Sequence, residues 1–198
     1  MSAPTLTRAP GGRPRDPDVD TRTLAAAVRL IARTGVHGWS TDDLATEAGV
    51  GKASIYRRWR TKDDVVLATV RHLGTRPSSY PAGGSIADCL VQLVCDEIGG
   101  THGLASTVLI AALAHDPQLR SAWQEGPARR LRAEATGILV TSPWLATRLD
   151  TILTGLTDVI SALRIRHCTT GTLPSVVVVR QSVRSLVDTH NPRPGGRA

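Results

Sequence analysis

Apolar residues recur at three- and four-residue spacing along nearly the whole chain, and that spacing restricts it to packed helices. Leu24, Val28 and Ile31 follow one another at i, i+4, i+7, with Ala27 and Leu30 beside them. Ile86, Leu90, Leu93 and Val94 form a second stripe, and Leu104, Val108, Ala111 and Ala112 a third. Trp123, Leu131, Ile138 and Leu139 mark a long helix from about Pro117 to Val140, bent near Gly126 and Pro127. A further long helix carries Ile152, Leu156, Val159, Ile160 and Leu163. Only Ser175 to Val179 (SVVVV) has the composition of a strand. Val176, Val179, Val183, Leu186 and Val187 nevertheless keep helical spacing, and no second segment offers a strand to pair with. We therefore read it as a helix and the fold as all-α.

Gly, Pro and capping residues divide the chain. Residues 1–17, rich in Pro, Gly and Arg, read as a flexible basic arm. Residues 18–73 hold four helices. Asp18 or Asp20 starts the first and Gly35 ends it. Ser40 with Asp43 opens the second in the manner of a capping box, and Ala48-Gly49 closes it. The third runs from about Lys52 to Trp59, and the fourth from Thr61 to about Leu73. Gly74 to Gly84 (GTRPSSYPAGG) is a break, placing a domain boundary there. Residues 85–190 form a second helical domain, and residues 191–198 (NPRPGGRA) read as a disordered tail. At 198 residues, two such domains can each bury a core without metal or disulfide staples.

Several functions are excluded at this level. No apolar run approaches 18 residues, so no membrane span is expected, and the N-terminus lacks the apolar stretch of a secretory signal. The three cysteines form no CxxC, which suits a reduced cytoplasmic protein. The six histidines show no ligand spacing, so no metal site or cofactor is expected. His115 and Asp116 are adjacent, and adjacent residues on a helix do not face each other. Asp116-Pro117 reads better as a helix boundary. No catalytic residue is assigned, and an enzyme is not expected.

Charge points elsewhere. Residues 1–76 carry 13 basic and 8 acidic side chains, and the only two lysines, Lys52 and Lys62, bracket Arg57, Arg58 and Arg60 in an acid-free stretch. That stretch lies within STDDLATEAGVGKASIYRRWRTK, residues 40–62, where two short helices meet at a glycine-containing turn. This is the helix-turn-helix arrangement, whose second helix enters the DNA major groove. Ile55 and Trp59, four apart, can pack inward, while Lys52 and Tyr56, and Ala53 and Arg57, form outward pairs. An arginine there can pair bidentately with guanine, and a small alanine leaves room for a thymine methyl. Lys, Tyr and Ser side chains suit phosphate.

The stretch from Thr21 to Val70 resembles the TetR family of transcriptional regulators. The matching residues are AAVRLIARTG (26–35), Ser40-Thr41, Asp43-Leu44-Ala45, AGV (48–50), KASIYRRW (52–59) and Lys62. The resemblance implies a homodimer with one DNA-reading domain per subunit. Thr41, Lys52, Ala53, Ser54 and Arg57 then face the major groove of a palindromic site, and Ser40, Tyr56 and Lys62 contact or orient phosphates. Gly51 stands where the family often has Ser, so no phosphate contact is carried onto it. Arg13 and Arg15 of the arm resemble arginines that enter an A·T-rich minor groove, although an ordinary solvated tail fits the same residues.

The resemblance also implies that residues 85–190 bind a ligand and dimerise, the last two long helices pairing with those of a second copy. Leu156, Val159, Ile160, Leu163, Val179, Val183 and Leu186 are the interface candidates, and a stripe facing only its own core is the alternative. Candidate pocket walls are Leu90, Leu109, Leu113, Trp123, Leu131 and Trp144, with Cys95, Thr107 and Thr154 as polar points. The expected function is a repressor released from its operator by a small-molecule effector. The competing expectation is an architectural protein that clamps DNA regardless of sequence and has no sensor.

Overall fold

The computed structural model describes residues 17–77 and 83–190. Eleven helices are described: α1 (Pro17–Thr34), α2 (Thr41–Ala48), α3 (Lys52–Tyr56), α4 (Lys62–Leu73), α5 (Ile86–Ile98), α6 (Gly100–Ala112), α7 (Pro117–Trp123), α8 (Arg129–Leu139), α9 (Pro143–Ala146), α10 (Leu149–Thr170) and α11 (Val176–His190). A single π-helical turn, Gln124–Ala128, joins α7 to α8 at the expected bend, and it holds both Gly126 and Pro127. Proline removes one backbone donor, and the wider turn accommodates its ring. The SVVVV segment is the first turn of α11, so helical spacing outweighs β-branched composition there.

The helix starts are fixed by side chains. Ser40 accepts a hydrogen bond from the Asp43 backbone N–H (3.1 Å), and the Asp43 carboxylate accepts one from the Ser40 N–H (2.8 Å). Thr61 and Asp64 repeat this reciprocal pattern at the start of α4. Such a cap stabilises a helix by about 1 kcal/mol. Gly49, at φ +63°, ends α2 in the left-handed conformation. The N–H groups of Val50 and Gly49 then donate to the carbonyls of Ala45 and Thr46, turning the chain directly into α3.

Two apolar cores result. Ile31, Leu44, Ile55, Val66 and Val70 of α1 to α4 form the first, and α6 and α7 complete it through Ala105, Leu109, Leu119 and Ala122. Packing therefore crosses the boundary placed in sequence at Gly74: helices of the second region serve as walls of the first. The second core joins α5, α8, α10 and α11 through Leu90, Leu93, Leu139, Ile152, Leu156, Ile160, Val179 and Val183. Fully burying one such side chain stabilises the fold by about 1.5–3 kcal/mol.

Candidate nucleic-acid interface

The helix-turn-helix is held from behind by ionic clamps. Glu47 of α2 receives Arg29 Nε (2.6 Å) and Arg33 Nη2 (3.0 Å) from α1, and the Arg29 guanidinium holds its carboxyl below the usual range. Arg58, its side chain only 9% exposed, donates to Asp20 of α1 and to the Ser54 carbonyl. Ile55 is buried beneath α3. With the back of α3 anchored by Ile55 and Arg58, its front is fixed too.

That front carries the expected residues. Lys52, Ala53, Tyr56 and Arg57 are exposed; Thr41, at the first position of α2, and Ser54 are half-buried. Arg57 Nη2 donates to Ser54 Oγ (2.9 Å), which steadies the guanidinium at the surface. Lys52 Nζ lies 2.8 Å from Asp42 of α2, and that hydrogen bond holds the ammonium above its ordinary pKa. Ser40 Oγ sits 2.7 Å from Asp43 Oδ2, and the Ser40 hydrogen bonds keep that carboxyl below its usual range. Gly51 caps α3 with no side-chain hydrogen bond. The expected third helix is shorter than its pattern, ending at Tyr56, although the Trp59 N–H still donates to the Ile55 carbonyl (2.9 Å).

Lys62 occupies a different place. Its Nζ donates to the backbone carbonyls of His37 (2.9 Å) and Trp39 (2.7 Å) and lies 4.4 Å above the Trp39 ring. Burial pushes this ammonium below its ordinary pKa. Two of its three donors thus hold the α1–α2 connection, and its direct effect is to orient the start of α2. Arg13 and Arg15 lie outside the described residues.

Away from this face, a cavity of about 410 Å³ opens between α6, α7, α8 and α10. Of the expected pocket residues it brings together Leu113, Trp123, Leu131 and Thr154. The others lie elsewhere. Leu90 and Leu109 are fully buried in the two cores and do not line it. Cys95 is half-buried on α5, and burial raises its thiol pKa. Thr107 turns back to the Gly103 carbonyl (2.8 Å). Trp144 lies against the end of α11, donating to the His190 carbonyl (2.6 Å) beneath the Arg148 guanidinium. The sequence reading missed a buried ionic group bordering this cavity, in which Arg130 and Arg164 both meet Glu97.

The expected dimer stripe is also placed differently. Leu156, Ile160, Leu163, Val179 and Val183 are all buried within this chain, and Val159 and Leu186 pack partly against the same core. The apolar surface of those five is used inside one copy, while Val159 and Leu186 leave part of theirs outward. The most exposed large apolar residues of α10 and α11 are Ile165, Val176 and Val177, with Leu173 between the helices.

Among the described residues no helix is long and apolar enough to cross a membrane, and no cluster of three His, Cys, Asp or Glu could hold a metal. Residues 24–69 match the family model for bacterial regulatory proteins of the tetR family. An uncharacterised HTH-type transcriptional regulator of Mycobacterium bovis is 29% identical over 123 residues, which span 57% of this chain and 58% of that protein's length. A solved structure described as a TetR-family transcriptional regulator from a Rhodococcus species superposes with TM-score 0.66 at 20% identity, covering 87% of this chain and 98% of its own. A transcriptional regulator from Saccharomonospora viridis, solved in complex with choline, gives TM-score 0.64 at 21% identity, covering 87% of this chain and 97% of its own.

Proposed function

The chain is a TetR-family transcriptional regulator, and from that premise we propose that it binds a palindromic operator in double-stranded DNA as a homodimer and represses until a small molecule releases it. The observation that carries the reading is the front of α3. Lys52, Ala53, Tyr56 and Arg57 stand outward on a helix whose back is fixed by Ile55 and Arg58. Arg57 is the base-reading residue, suited to guanine O6 and N7. Ala53 allows close approach, and Thr41, Lys52 and Ser54 line the same groove. Tyr56 takes a phosphate, together with the first backbone N–H groups of α3, which no side chain caps, while Ser40, whose N–H and hydroxyl both donate to Asp43, orients the start of α2 towards the backbone. Lys62 orients the phosphate-facing start of α2 from behind.

The cavity supplies the sensor. Pro127 and Ala128 of the π turn form part of its wall, and Gly126 of the same turn meets Gly74 at the end of α4. A ligand that favours one packing of this turn shifts α4 and so the spacing of the two α3 helices, which must match successive major grooves about 34–36 Å apart. The Saccharomonospora neighbour's choline supports a small-molecule site in this fold. Ile165, Val176 and Val177 form the dimer face, and the protein works in the cytoplasm.

Selection of bound fragments from random DNA, with competitor at about physiological salt, tests the reading. A palindromic motif, released when a compound occupies the cavity, is the expected result. Binding with no enriched motif makes the protein a nonspecific architectural clamp and overturns it.

A further inference from the structure

The π turn that walls the cavity with Pro127 and Ala128 presents Glu125 and Gly126 to a second space, an open cleft of about 750 Å³ between the end of α4 and the start of α8. Arg71 and Thr75 line it from one side, Arg129 and Arg130 from the other. The two sides approach closely: a Cβ on Gly126 would lie 3.7 Å from the Arg71 Cα. Arg129 stands about one helical turn beyond Gly126.

The polar groups of this cleft divide into those already engaged and those not. Arg130 is held by Glu97 and Glu134, and Thr75 gives its hydroxyl proton to the His72 carbonyl (2.8 Å). Arg71 and Arg129 are both exposed, and neither guanidinium has an ion-pair or hydrogen-bond partner among the described residues. The single lining carboxylate, Glu125, precedes Arg129 by four residues, the spacing at which an α-helix pairs an acid with a base. The π turn lies between them, and its wider winding takes them out of that register. Glu125 accepts instead from Ser121 Oγ (2.8 Å). Two accessible guanidiniums on facing walls repel one another, and an anion between them replaces that repulsion with two attractions. Each guanidinium fork also matches the oxygens of a phosphate group, to which it can donate two parallel hydrogen bonds.

We propose that this cleft binds the phosphate group of a small phosphate monoester, its oxygens accepting from Arg71 and Arg129, and that the bound group ties α4 to α8 across the π turn. Two unpaired cations call for a doubly charged partner, and a monoester, with a second pKa of about 6, carries close to two charges at neutral pH. The phosphates of operator DNA are single charges in the wrong place. At 1.5 Å per residue, Arg71 stands about 13 Å along α4 from Lys62, at the end away from α3. The site is separate from the cavity and stands whether or not a compound in the cavity releases the operator.

Calorimetric titration of the full chain with glycerol 3-phosphate, dimethyl phosphate and glycerol tests it at about 0.15 M salt, where attraction to a diffuse positive surface is screened. Glycerol 3-phosphate is expected to bind in the millimolar range or tighter, at least about tenfold tighter than the singly charged diester, with glycerol silent. Arg71→Gln and Arg129→Gln, both at exposed positions, should melt with the parent and each weaken the monoester about tenfold. Glu125→Gln should tighten it by removing the one charge in the cleft that opposes an anion. Arg132→Gln takes a positive charge from α8 outside the cleft, where Asp150 pairs with it, and should leave binding unchanged. The proposal is overturned if glycerol 3-phosphate fails to bind at millimolar concentration, if dimethyl phosphate binds as tightly, or if Arg132→Gln costs as much as Arg129→Gln. Loss of operator affinity in Arg71→Gln and Arg129→Gln with no probe present would assign both arginines to the DNA backbone and overturns it as well.

Discussion

Gly74 and Gly126 cross with no side chain between them: a Cβ on Gly74 would lie 2.6 Å from the Cα of Gly126. Gly74 has φ −74°, a conformation open to any residue, so space alone requires glycine there. The relationship is one-sided, because a Cβ on Gly126 meets its nearest neighbours at 3.6–3.7 Å, ordinary contact. Gly74→Ala should therefore cost about 1–3 kcal/mol by forcing α4 off the π turn. Gly126→Ala should be neutral or stabilising by up to about 1 kcal/mol. Urea denaturation of the two variants checks the asymmetry, and equal losses would refute it.

Arg57 and Arg58 are neighbours with opposite duties. Arg57→Ala should leave the melting temperature unchanged and lose discrimination at one or two base pairs of each half-site. Arg58→Ala removes a nearly buried guanidinium that ties α3 to Asp20, and should cost about 1–3 kcal/mol in the absence of DNA. Thermal melts paired with binding to a panel of mutated operators separate the two. Uniform weakening by Arg57→Ala across all sequences would remove its base-reading role.

Lys62 makes a similar distinction within one residue. If its work is to hold the carbonyls of His37 and Trp39, Lys62→Met should cost about 1–2 kcal/mol without DNA present. The salt dependence of DNA binding should then stay nearly unchanged. A slope shallower by about 0.9 per phosphate lost, with stability intact, would return Lys62 to direct phosphate contact.

Much of this was legible in the sequence because it is local. Ser40 with Asp43, Thr61 with Asp64, Gly49 as a left-handed stop and Gly126-Pro127 as a bend all act within a few residues of themselves. Partners distant in sequence were not legible. Arg58 stands among three similar cations, and nothing in the run says that Asp20, 38 positions away, selects it. The stripe on α10 and α11 identifies buried positions but not whose core buries them, so five of the seven residues read as a dimer surface, Leu156, Ile160, Leu163, Val179 and Val183, are buried within the single chain. One signal was present and unused. Glu97 continues the stripe of Leu90, Leu93 and Val94, and Arg164 that of Leu156 and Ile160, each a charge at an apolar position. Two opposite charges so placed imply one another, since a buried charge requires a partner.

Acid should weaken the fold in two stages. Burial holds His72 and His102 below the ordinary histidine value of about 6.5, so the unfolded chain takes up protons that the folded chain refuses. Their contribution is present above about pH 6.5 and is lost as pH falls through the lowered folded values. The capping carboxylates Asp43, Asp64 and Asp88, each held down by a Ser or Thr hydrogen bond, act the same way further into acid, below about pH 4. Melting temperature should be flat from pH 8 to about pH 7 and decline below that, and His72→Gln should blunt the first decline. An undiminished first decline in that variant would assign it to other groups.

The position of the dimer face gives the last contrast. Leu163 is 5% exposed in a single chain, whereas Ile165, two residues on, is 64% exposed, as is Val177. Leu163→Asp places an unpaired carboxylate in the chain's own core and should abolish cooperative folding. Ile165→Asp and Val177→Asp put the charge on the outer face of α10 and α11, where the separate chain tolerates it and an apolar contact between two copies does not. Both should keep the unfolding free energy of the isolated subunit within about 0.5 kcal/mol and sediment as monomers. DNA affinity should fall with dimerisation, because a single helix-turn-helix gains nothing from a second half-site. Should Ile165→Asp sediment as a dimer, the two copies meet elsewhere, and the exposed apolar residues between α10 and α11 serve another purpose.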